Sequence, residues 1–138
     1  MGAHELSPEH RDRLRETVSS HEELQVLLFA RRQVTTWSRE EAAGSLHLAE
    51  PALDDSVDAL LAAGFLQPEP GGLNGERRLR YAPASPDLAD LVDRVAEVLE
   101  TNPLHLFELM NQHALERVRS SVARTFASAF VLGRKKDG

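Results

Sequence analysis

Between Pro51 and Tyr81 the hydrophobic period of this chain changes from that of a helix to that of a strand. Leu53, Val57, Leu60 and Leu61 stand at i, i+4, i+7 and i+8, which makes a buried stripe on a helix. Pro51 opens that helix and Gly64 closes it as a left-handed cap. Phe65-Leu66-Gln67 reads as a strand. Residues 68–75 hold two prolines, three glycines and an asparagine, the composition of a flexible turn. The strand returns over Arg77–Tyr81, with Leu79 and Tyr81 on one face and Arg78 and Arg80 on the other. A helix that runs straight into a hairpin leaves few architectures open.

The flanking segments are helical with clear boundaries. Ser7-Pro8-Glu9 starts a helix that reaches about Ser19 and offers only Leu14 and Val18 to a core, so it is expected to be short and loosely attached. Ser20-His21-Glu22-Glu23 is a capping box ahead of Leu24, Leu27 and Leu28, and it predicts a buried helix from His21 to about Arg31. Val34-Thr35-Thr36-Trp37 predicts a brief strand. Ser38-Arg39-Glu40-Glu41 is a second capping box, opening a helix to about Leu46. Ser85 caps a later helix with Leu88, Leu91, Val92, Val95, Val98 and Leu99 on one stripe, and Asn102-Pro103 ends it. From Leu104 to Leu132 the pattern is helical again, with a break expected near Asn111. The polar tail 134–138 follows Gly133.

The divisions expected are an N-terminal helical segment over 1–19, a compact unit over 20–84, C-terminal helices over 85–132 and a basic tail over 133–138. Hydrophobic residues are 41% of the chain and charged residues 28%, a globular balance. With no cysteine, a disulfide framework, a thiolate metal site and a cysteine nucleophile are all excluded. The start of the chain has no apolar run of the secretory kind, and no stretch approaches the length of a membrane helix. A cytoplasmic protein that does not engage a membrane is the expectation.

Helix, short strand, helix, turn, helix and hairpin, carried by Val34–Ala43, Leu46-His47-Leu48 and Leu53–Leu66, resemble the winged helix-turn-helix regulators of bacteria, MarR-like and ArsR-like. The resemblance covers about residues 20–82. It implies a mainly α fold with a small β-hairpin wing, here followed by a C-terminal helical extension, and a role in transcriptional control. It places residues 51–63, the third helix of the motif, where such regulators have a recognition helix, and the wing tip at Glu69–Glu76. It also implies contact with DNA through wing arginines, which makes Arg77, Arg78 and Arg80 the candidate nucleic-acid residues.

Charge tells against the simplest version of that picture. The formal net charge is −6, whereas phosphate contact calls for a basic face. The outward positions of the third helix include Asp54, Asp55 and Asp58 and no basic residue. DNA is therefore disfavoured on this helix, and a protein partner facing the three aspartates, as in an adaptor, is the alternative. The wing arginines can grip phosphate or pair with Glu69, Glu76 or those aspartates. Residues 103–138 carry six basic and three acidic side chains and form a second basic region.

Leu115, Val118, Val122, Phe126 and Ala129 line one side of the last helix, and they either pack on the preceding helix or form a homodimer or partner interface. His105 and Glu108 stand three apart but have no second ligand pair, so no metal is expected. No nucleophile–base grouping or phosphate-cradling loop occurs, and neither an enzyme activity nor a cofactor is expected.

Overall fold

A computed structural model describes residues 5–69 and 77–119 of the chain. Among them, α1 (Pro8–Thr17) and α2 (His21–Arg32) are followed by β1 (Trp37–Ser38), α3 (Arg39–Leu46) and α4 (Glu50–Ala63). Next come β2 (Leu66–Glu69), β3 (Arg78–Tyr81) and α5 (Pro86–Thr101). A further helix, α6, covers 103–119 without a break at Asn111. No described helix is long and apolar enough to cross a membrane.

The serines at the helix starts act as the sequence predicts. Ser7, Ser20, Ser38 and Ser85 each accept a hydrogen bond from the backbone N–H three residues on. Glu23 reaches back past the cap, taking Ser19 N–H at 3.0 Å and the Ser20 hydroxyl at 3.2 Å rather than the Ser20 N–H of a standard capping box. Glu41 does not, because its carboxylate is drawn to Arg78 instead. At the far end of α4, Gly64 turns the chain at φ 89° and donates its N–H to Leu60 and Leu61. A methyl group there would enter a left-handed backbone and stand 3.3 Å from the Ala84 side chain. Gly64→Ala is therefore expected to lower the unfolding free energy by about 1–2 kcal/mol, measured by denaturant titration.

The three strands form an antiparallel sheet in the order β1-β3-β2. The predicted strand at Val34 is cut to two residues, and Val34 itself is 99% exposed. Among the described residues it has no strand partner, since the pairing of this segment with β3 is confined to Trp37 and Ser38. Ala82 donates its N–H to the Phe65 carbonyl. Bonded and non-bonded pairs alternate from there, so Leu66 opposite Tyr81 and Pro68 opposite Leu79 are non-bonded pairs. The backbone of Pro68 thus faces away from β3, where its missing N–H costs the ladder nothing.

One hydrophobic core runs through the described residues. Trp37 is fully buried at its centre and meets Phe29 edge-to-face at 5.4 Å. Leu53, Val57 and Leu60 of α4 are buried as the stripe requires, whereas Leu61 is half-buried. The first helix is held more firmly than its two apolar residues suggest. Leu6 joins Leu14 and Val18 in the core, and Arg117 of α6 donates to the carbonyls of Arg15, Val18 and Ser19 at the end of α1. One long-range guanidinium thus caps a helix that lacks a glycine stop.

Candidate nucleic-acid interface

The helix-turn-helix is formed by α3 and α4, with His47 in the left-handed conformation (φ 56°) between them. Asp54, Asp55 and Asp58 are exposed on α4, as the stripe predicts. Ser56 is not outward. It is buried and donates its hydroxyl to the Ala52 carbonyl at 2.8 Å, so a polar side chain is tolerated inside because its own helix satisfies it.

The aspartates are not without a basic neighbour. Arg39, the first residue of α3, reaches Asp54 at 3.0 Å through Nη1 and Asp58 at 2.9 Å through Nη2. A longer bond of 3.4 Å goes to the Asp54 carbonyl. Partial burial pulls on the charge of Arg39, but the bonds to Asp58 and Asp54 outweigh it and hold its pKa above the ordinary arginine value. Both carboxylates remain largely exposed, so each pair contributes on the order of 0.2–1 kcal/mol. Spacing within α4 could not show this, because the arginine lies on the preceding helix.

The three wing arginines have different fates. Arg78 donates to the Thr36 hydroxyl at 2.8 Å, the Thr36 carbonyl at 2.7 Å and Glu41 at 3.0 Å, and so ties β3 to the approach to β1 and to α3. Arg80 bonds Gln67 at 3.1 Å and stands 3.6 Å from Glu69, which crosses the hairpin. Arg77 is exposed and makes no ion pair among the described residues. It lines an open groove of about 570 Å³ with Ser38, Arg39, Glu40, Asp54 and Asp58. The wing tip between Glu69 and Glu76 falls on residues 70–76, outside the described residues.

Along α6, Leu106, Leu109, Met110 and His113 face the core. His113 is buried with Nδ1 unpartnered among the described residues, and burial pushes its pKa below the ordinary histidine value. Leu115 and Val118 lie on the opposite side, 56% and 58% exposed, on one stripe with exposed Leu104 and Phe107. Val122, Phe126 and Ala129 lie outside the described residues. His105 takes the N–H of Leu6 at 3.3 Å, and no group of metal-binding side chains occurs among the described residues. Arg39 and Arg117 are the residues that sequence reasoning missed. Their one signal was a lone arginine at a helix start and another on a mostly buried helix face.

The sequence matches no family model and no curated protein. Two solved structures are similar. The adhesin competence repressor AdcR from Streptococcus pyogenes has a TM-score of 0.53 at 8% identity, covering 86% of this chain and 82% of that one. A mutant of S. aureus MepR bound to an oligodeoxyribonucleotide has a TM-score of 0.50 at 12% identity, covering 88% and 87%. At such identity what is shared is the arrangement of elements. The chain has the winged helix-turn-helix fold of MarR-like regulators.

Proposed function

We propose that this protein is a transcription regulator that binds duplex DNA as a homodimer, with the open side of the helix-turn-helix and the start of β3 against the backbone. The observation that carries this reading is Arg77, an exposed cation without an ion pair among the described residues, at the root of the wing beside α3. The fold likeness supports it, since one neighbour is named a repressor and the other was solved on an oligodeoxyribonucleotide. The acidity of α4 weighs less against DNA than the sequence suggests, because Arg39 offsets two of its three aspartates. The homodimer rests on the exposed stripe of α6, whose spacing the sequence continues to Val122, Phe126 and Ala129.

The test is fluorescence anisotropy with random-sequence duplex at low salt, followed by a salt series. Wild type should bind, and Arg77→Ala should weaken binding uniformly across sequences while reducing the salt slope by about one. A wild type that binds no duplex at the lowest salt would overturn the reading.

A further inference from the structure

Arg39 and Arg77 line the same groove, one from the first residue of α3 and the other from the residue before β3. Arg39 spends its guanidinium on two separate carboxylates, one through each terminal nitrogen. A phosphate would accept both nitrogens at once in the fork geometry that arginine favours. Asp54 and Asp58, one helical turn apart, are 53% and 66% exposed, so either can swing into water when Arg39 is taken from it. The packing of α3 on α4 is already supplied by Ala42, Leu53 and Val57, all buried, and does not need the ion pairs.

We propose that Arg39 and Arg77 form the two sides of a seat for a phosphate of the nucleic-acid backbone, and that Asp54 and Asp58 compete with that phosphate for Arg39. The proposal rests on the DNA reading and adds a mechanism to it. Each backbone phosphate that enters this seat must first displace a carboxylate, so non-specific affinity is held down. A site whose other contacts favour close docking opens the clamp. Asp55, on the same helix but outside the Arg39 network, contributes only general repulsion.

The experiment compares five proteins on one random-sequence duplex: wild type, Asp54→Asn/Asp58→Asn, Asp55→Asn, Arg39→Gln, and the triple change Arg39→Gln/Asp54→Asn/Asp58→Asn. The double asparagine variant should bind roughly fivefold or more tighter, the scale set by releasing two exposed ion pairs. Its salt slope should steepen by about one, because Arg39 then neutralises one more phosphate. Asp55→Asn should give a smaller rise in affinity with an unchanged slope. Adding Arg39→Gln should cancel both effects of the double change. Tighter binding that survives Arg39→Gln, or that Asp55→Asn reproduces, would make the effect bulk repulsion and overturn the clamp while leaving the DNA reading intact. An unchanged affinity overturns it too. If none of the five binds, the DNA reading fails and the clamp with it. Circular dichroism melting checks that each variant folds, and the slope of the double asparagine variant decides the matter even if the Arg39 variants do not.

Discussion

Placing glutamate at both Leu115 and Val118 should convert a dimer into a folded monomer. Both side chains are more than half exposed on the side of α6 away from the core. Among the described residues nothing in the fold of one chain therefore depends on them, and covering them is worth on the order of 1 kcal/mol or more apiece in a partner-filled seam. Replacing them with carboxylates forfeits that stabilisation and adds the penalty for burying charge. The dissociation constant should rise by about 100-fold or more. Light scattering at micromolar concentration reads the result. The expected wild type is a dimer, and the expected variant is a monomer with an unchanged circular dichroism spectrum. Leu106→Glu is the contrast: Leu106 is fully buried on the opposite side, and its replacement should unfold the chain. A monomeric wild type, or a double variant that stays dimeric, would remove the interface from this face.

Trp37→Ala should be the most damaging single truncation in the helix-turn-helix unit. The side chain is fully buried, stacks edge-on against Phe29 and sits in the register position opposite Leu79. Its removal should cost about 3–5 kcal/mol, out of a total that for domains of this size is about 5–15 kcal/mol. A fall in melting temperature of roughly 10 °C or more follows. Its indole nitrogen has no hydrogen-bond partner among the described residues, so Trp37→Phe loses volume but no bond and should be much milder. Because this is the chain's one tryptophan, far-UV circular dichroism is the right probe. Equal damage from the two substitutions would mean that the indole nitrogen does hold a partner.

The parts of the fold legible in the sequence are those written in local rules. The four capping serines, Gly64 and the 3.6-residue stripes of α4 and α5 mark their elements because each depends on neighbours within a turn or two. The break expected near Asn111 does not occur, since asparagine alone does not interrupt a helix whose Met110 and His113 are anchored in the core. Long-range partners were the illegible part. The firm seating of α1 depends on Leu6 and on Arg117, about a hundred positions further along. The charge of α4 depends on Arg39, fifteen and nineteen residues upstream of its two partners. The sequence offered all three wing arginines as equal candidates, and the structure distinguishes exposed Arg77 from Arg78, which is tied to Thr36 and Glu41.

The outward backbone of β2 has a consequence for how the wing can behave in a crowded cell. Of the two residues in non-bonded register, Leu66 and Pro68, only Leu66 has an N–H to offer to a passing strand. A single donor is too little to template a ladder, and proline at an edge is a common protection against strand-to-strand aggregation. In a homodimer two such edges would be held at high local concentration, where an unprotected pair would be free to zip together. Pro68 keeps the hairpin from being consumed in this way and leaves its outer side chains accessible to other molecules.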